Sequence, residues 1–176
     1  VAFIMDTYFG FKLPKGMHKE FANVIQKISE EQGEVSPDQI MESFRDEYLM
    51  KKEPIHFRRL RVDDLSEETK SEFDTKVTVI YTNAGVEKSF EAVGNGPIDA
   101  VKRGLQEELD IHIKILDYEE HALQSGSNSQ AAAYIHLLDA DNGSVTYGVG
   151  VSSNITRASV RAIFSAVNRL GLGERR

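Results

Sequence analysis

The layout of one stretch of this chain recurs in the next, and that repetition restricts the fold more than any single motif does. In the first stretch Val77, Val79 and Tyr81 alternate with Thr78, Ile80 and Thr82, the period-two pattern of a strand with one buried face. Asn83-Ala84-Gly85 supplies a turn, and Ser89 to Val93 reads as the returning strand of a hairpin. Gly94-Asn95-Gly96-Pro97 stops that strand, and Ile98, Val101, Leu105 and Leu109 follow at helical spacing. Ile111, Ile113 and Ile115 then alternate with His112 and Lys114, which predicts a half-buried strand running on through Tyr118.

The second stretch repeats this order. Ala131 to Leu137 reads as a strand, Asp141-Asn142-Gly143 as a tight turn, and Val145 to Val151 as the return strand. Asn154 caps a helix whose apolar face carries Ile155, Ser159, Ala162, Ala166 and Leu170. Each half alone leaves an apolar face open, so the halves should pack together. The expectation is an α+β fold of duplicated strand-strand-helix units with pseudo-twofold symmetry, sheet on one side and helices on the other.

Residues 1–50 precede these units and read as a small helical subdomain. Leu13-Pro14 marks a helix entry, and Met17, Phe21, Val24 and Ile28 give one apolar face. Ser36-Pro37-Asp38-Gln39 has the residues of a capping box with Pro at the first helical position, and Ile40, Phe44 and Tyr48 follow as a second stripe. Residues 51–75 read as a linker or mobile loop, because Pro54 breaks any helix and the acidic, Ser/Thr-rich part has no apolar period. Strand-like residues occur there at Ile55-His56-Phe57 and Leu60-Arg61-Val62. The tail, residues 171–176, is expected to fray.

Composition removes several kinds of chemistry. The chain has no Cys, so disulfides, thiolate catalysis and Cys-based zinc sites are excluded, in keeping with a reducing cytoplasm. A net charge of -7 speaks against nucleic acid as a partner. The one basic cluster, Arg58-Arg59-Leu60-Arg61 after Lys51-Lys52, reads as a solvated face, since Asp63, Asp64, Glu67 and Glu68 follow at once. No apolar run is long enough to span a membrane. The opening Val1-Ala2-Phe3-Ile4-Met5-Asp6 is no signal peptide and reads as a cut within a longer chain.

No histidine falls in a metal-binding spacing. Glu119-Glu120-His121 reads as a strand end, Ser125, Ser127 and Ser129 lack a nucleophile elbow, and Gly148-Val149-Gly150 completes no dinucleotide fingerprint. No catalytic residue, metal ligand or cofactor site is therefore assigned.

The two helix starts, Gly94-Asn95-Gly96 and Ser152-Ser153-Asn154, are more informative. A helix amino terminus carries unpaired N–H groups and roughly half a positive charge, so it attracts an anion. Set face to face, two such starts form a polar cup suited to the carboxylate of a free amino acid. On local grounds alone Asn95 and Asn154 read first as helix caps.

A resemblance shifts that balance. Gly94-Asn95-Gly96-Pro97-Ile98-Asp99-Ala100, Asp117-Tyr118-Glu119-Glu120-His121-Ala122, Gln130-Ala131-Ala132-Ala133-Tyr134, Tyr147-Gly148-Val149-Gly150 with Asn154-Ile155, and Ser165-Ala166-Val167-Asn168-Arg169 come in order. This series resembles the regulatory domain of 2-isopropylmalate synthases, and residues 1–50 resemble the helical subdomain that follows their barrel. The resemblance implies an enzyme that condenses acetyl-CoA with 2-oxoisovalerate in leucine biosynthesis, using a divalent metal in a (β/α)₈ barrel. Such a barrel needs roughly 250 residues, so it is absent from this chain, which should be inactive alone. The resemblance also implies that residues 76–170 form a leucine-binding, homodimer-forming domain that conveys feedback inhibition to the barrel. Carried over residue by residue, Asn95, Gly96, Pro97, Ile98, Asp99 and Ala100 should lie against leucine. Ile115, Tyr118 and Ala122 should line its side-chain pocket, and Ile155 should close it. Asp99, Asp117 or a backbone carbonyl would take the ammonium. The alternatives are the isoleucine-sensing domain of a citramalate synthase and a purely structural dimerisation module.

Overall fold

The structure, a computed structural model, describes residues 1–123 and 129–175. Helices α1 (Ala2–Phe9), α2 (His18–Gln32) and α3 (Pro37–Phe44) come first. Strands β1 (Ile55–Asp64), β2 (Thr75–Asn83) and β3 (Val86–Gly94) follow, then helix α4 (Pro97–Leu109). Strands β4 (Ile113–Leu123), β5 (Gln130–Asp139) and β6 (Val145–Ser152) and helix α5 (Ile155–Arg169) repeat that order. The strands make two antiparallel sheets in sequential order, β1-β2-β3 and β4-β5-β6.

The duplicated α+β architecture after a helical subdomain is therefore present, with three strands per unit. The third strand of the first unit comes from the stretch expected as linker, and this corrects that reading over Ile55–Asp64. A bulge at Arg58 separates the pair Phe57–Tyr81 from the pair Arg59–Ile80. It puts Leu60 and the exposed Val62 on the face that carries Ile55 and Phe57, so no single alternation runs through the strand. An equivalent bulge at Leu116 interrupts β4 between Ile115 and Asp117. The two units superpose in layout through these bulges: Ile55 answers Ile113, Leu60 answers Tyr118, and the cap Gly96 answers the cap Asn154.

The sheets differ in how they are covered. In β2 Val77, Val79 and Tyr81 are buried and the residues between them are half-buried. Strand β5 is buried on both faces, and this explains its unbroken apolar run. One face, with Ala133, Ile135 and Leu137, joins the core around α4 and α5. The other, with Ala132 and Tyr134, packs with Tyr147 and Val149 against Met17, Phe21, Phe44 and Tyr48 of the helical subdomain. The capping box at the start of α3 is formed, Gln39 N–H donating to Ser36 Oγ at 3.2 Å and Ser36 N–H to Gln39 Oε1 at 2.8 Å.

At two points of β6 no side chain separates the strand from the helix above it. A methyl on Gly148 would lie 2.1 Å from the Ala162 carbonyl oxygen, and one on Gly150 2.0 Å from that of Ala158. These glycines let α5 sit directly on the sheet backbone.

The last turn of α5 is stitched to the helical subdomain. Asn168 Nδ2 donates to the carbonyls of Lys51 (2.8 Å) and Ile55 (2.7 Å), and Ser165 Oγ donates to that of Tyr48 at 2.7 Å. Arg169 pairs with Glu20 at 3.0 Å and with Glu47, and its guanidinium lies 4.2 Å above the Tyr48 ring. Glu20 also accepts from Tyr48 Oη, Thr146 Oγ1 and Tyr147 N–H. His121 joins the same seam, its Nε2 accepting from Lys12 N–H at 3.1 Å and from Tyr134 Oη at 2.8 Å while Nδ1 donates to the Ala122 carbonyl. The tail expected to fray is anchored at Leu172, which is fully buried. Ser125 and Ser127 lie outside the described residues.

Candidate functional site

Helix α4 begins without a side-chain cap. Gly96 is its N-cap, at φ 108, and Pro97 holds the first helical position. Asn95 precedes the cap and so does not serve as one. Proline has no N–H, so the first-turn amides available at this end are those of Ile98 and Asp99. The Asp99 carboxylate instead turns back along the loop. It accepts Asn95 N–H at 2.9 Å and Arg103 Nε at 2.8 Å, and Lys102 lies 3.6 Å from its other oxygen. Burial works against its charge, but the Asn95 amide, Arg103 and Lys102 together hold the carboxyl below the usual range. Helix α5 is capped as the sequence suggests, Asn154 Oδ1 accepting Arg157 N–H at 2.9 Å.

An open cleft of about 500 Å³ lies at the start of α4 against β4. Asn95, Gly96, Pro97, Ile98, Asp99 and Ile115 line it, joined by Lys102 and Lys114. Ala100 is fully buried behind it, its N–H donating to the Gly96 carbonyl at 3.1 Å. Within one chain Tyr118, Ala122 and Ile155 do not line this cleft. Tyr118 reaches the start of α5, where its hydroxyl lies 2.8 Å from Ser159 Oγ, which in turn donates to the Ile155 carbonyl at 2.9 Å. Burial and a bond to Glu120 push the Tyr118 hydroxyl up to about 12, against the opposing bond to Ser159. Ala122 and Ile155 are exposed. Asp117 pairs with His136 on the opposite face of β4 from Tyr118.

A second cleft, of about 480 Å³, is the pseudo-symmetric counterpart of the first: β1 of one unit against the start of α5 of the other. Leu60, Val62, Asn154, Thr156 and Arg157 line it, and Pro97 reaches it from α4. The two helix starts thus come together around this cleft, with Arg58 and Arg59 at its border. Arg157 stands where the first cleft has Asp99, so the two differ in charge. Lys102, Arg103, Lys114 and Ser159 are absent from the residues expected from the sequence; for Lys102 and Arg103 a signal existed, since they lie three and four residues past Asp99 on one helix.

The described residues hold no group of three His, Asp or Glu side chains placed to bind a metal, and no helix long and apolar enough to cross a membrane. The chain is similar over nearly its whole length to proteins named 2-isopropylmalate synthase. One from Clostridium acetobutylicum is 42% identical over 171 residues, covering 96% of this chain and 30% of that protein. One from Mycobacterium leprae is 38% identical over 170 residues, covering 96% and 27%. One from Helicobacter hepaticus is 30% identical over 173 residues, covering 97% and 31%. The chain thus spans under a third of the length of these relatives. The profile of the LeuA allosteric (dimerisation) domain matches residues 34–171, and the chain belongs to that family.

Proposed function

We propose that this chain is the effector-sensing, homodimer-forming region of a 2-isopropylmalate synthase, and that free leucine binds at the start of α4. The observation that carries the reading is the convergence of Asn95, Gly96, Pro97, Ile98, Asp99 and Ile115 on one cleft whose helix start lacks a side-chain cap. The leucine carboxylate takes the amides of Ile98 and Asp99, aided by the helix dipole and by Lys102 and Lys114. Pro97, Ile98 and Ile115 supply apolar contact, which stabilises a branched side chain by ~25 cal/mol per Å² covered. The Asp99 carboxylate is committed to Asn95 and Arg103, so a backbone carbonyl accepts the ammonium. The cleft is open in one chain, and its closure is left to the homodimer.

In the whole enzyme this domain acts on a catalytic barrel that condenses acetyl-CoA with 2-oxoisovalerate. Leucine favours one arrangement of the dimer through its differential affinity for the two arrangements, and residues 1–50 pass the change on. Calorimetry on the chain with leucine, and competition by isoleucine, tests the reading. Saturable heat with leucine and weaker displacement by isoleucine are expected. Dimers by light scattering with no heat at millimolar leucine would reduce the domain to a structural module.

A further inference from the structure

A third cavity, of about 240 Å³, lies apart from the first cleft and shares only Phe57 with the second, where the helical subdomain, β1, β6 and α5 meet. Its apolar wall is made by Leu49, Ile55, Phe57, Val149 and Phe164. Four basic side chains, Lys51, Lys52, Arg161 and the neutral imidazole of His56, line it and no acidic residue does; the other polar side chain is the Ser165 hydroxyl. This is unexpected in a chain with 28 acidic residues and a net charge of -7. Among the described residues none of these four side chains is ion-paired; Arg161 donates one N–H to the Val151 carbonyl at 2.7 Å and keeps the rest of its fork. The floor is fixed, because Ile55 is tied by both its N–H and its carbonyl to Asn168, and Ser165 is tied to Tyr48.

We propose that this cavity is a second ligand site, selective for a small dicarboxylate with an aliphatic body. One carboxylate pairs with the Arg161 guanidinium, whose planar fork matches it. The other lies between Lys51 and Lys52, and the carbon chain covers Phe57, Val149 and Phe164. A zwitterionic amino acid is disfavoured, since its ammonium would sit among cations with no carboxylate lining the site to meet it. The volume is below the usual range for drug-sized ligands and suits a metabolite of few heavy atoms. A ligand here touches the segment after α3, β1 and α5 at once and stabilises the seam between the helical subdomain and the duplicated units.

His56 supplies an internal probe. Burial, helped by the charges of Lys52, Arg58 and Arg161, lowers its pKa, against the pull of Glu53. A dianion at the site offsets those cations and raises it. The experiment is an NMR titration of the His56 ring in the 176-residue chain with succinate, 2-isopropylmalate, sulfate or leucine present. Both dicarboxylates should raise the His56 pKa saturably. Lys52→Ala, which removes an exposed side chain and leaves the fold intact, and Arg161→Gln should each weaken them about tenfold. No movement of His56 with either dicarboxylate would overturn the proposal. So would an equal response to sulfate, which would mark an adventitious anion only, or to leucine. None of these outcomes depends on leucine binding at the start of α4.

Discussion

Replacing Gly150 by Ala tests how closely α5 is seated on its sheet. The added methyl would lie 2.0 Å from the Ala158 carbonyl oxygen and 2.7 Å from the Ala162 nitrogen, where ordinary contact begins near 3.4 Å. Both obstacles are helix backbone, so no rotamer change relieves them. The helix must retreat by roughly 1.4 Å at that point, and a gap of about 1 Å already forfeits up to half of the dispersion well for neighbouring atoms. Ala158, Ala162, Ile163 and Ala166 are fully buried on that face. The loss therefore falls at the top of the overpacking range, about 3 kcal/mol. For a domain of this size that lowers Tm by roughly 6–12 °C. The control is Gly143→Ala, where φ is +79 but nothing lies within 4 Å of the new methyl. It should cost only the left-handed backbone penalty, about 1–2 kcal/mol. Urea unfolding of the three proteins measures both effects. Equal losses in the two variants, or less than about 1 kcal/mol for Gly150→Ala, would refute the close-approach argument.

Two further outcomes follow from the charged groups. Arg169→Met strands Glu20 and Glu47 at the seam; the side chain is only 10% exposed. Glu20 keeps three other donors, so the expected loss is about 2 kcal/mol rather than the 3–5 of a fully abandoned buried charge, and Glu47→Gln in the same chain should recover part of it by denaturant titration. Asp99→Asn should cost about 1 kcal/mol at neutral pH by releasing the Asn95 loop. Because the folded carboxyl titrates below its unfolded value of 3.8, its contribution is present above that pH and disappears as pH falls through the folded pKa. Unfolding midpoints of native and Asp99→Asn chains should therefore converge toward pH 2, and a gap that persists there would show that charge is not the cause.

The duplicated layout was legible because β2 and α4 have one covered face each, which leaves a period, whereas α5 is covered on every side over residues 162–168 and is signalled by its cap at Asn154. Strand β1 was read as linker for a definite reason: its bulge at Arg58 changes the parity of inward positions halfway along. Helix α1 carries one buried residue, Met5, and so has no apolar stripe to find. Of the candidate site, the loop Asn95 to Asp99 and Ile115 could be named from motifs that the resemblance supplied. Lys114 could not, since it approaches through the meeting of one unit's first strand with the other unit's helix, and neither could Ser159, which meets Tyr118 only when β4 and α5 of one unit pack together. Gly148 and Gly150 complete no motif in the sequence, because what requires them is the backbone of a helix laid across them.

Sheet β4-β5-β6 is clasped between two layers, whereas β1-β2-β3 has a layer on one side only. The internal symmetry of the fold is therefore broken by what surrounds it. Helix α4 makes no hydrogen bond or ion pair with residues 1–50 among the described residues, while α5 is in direct touch with Glu20, Tyr48 and Lys51. Two near-copies of one unit therefore sit in unlike surroundings, the second gripped by residues 1–50 through α5 and the first not.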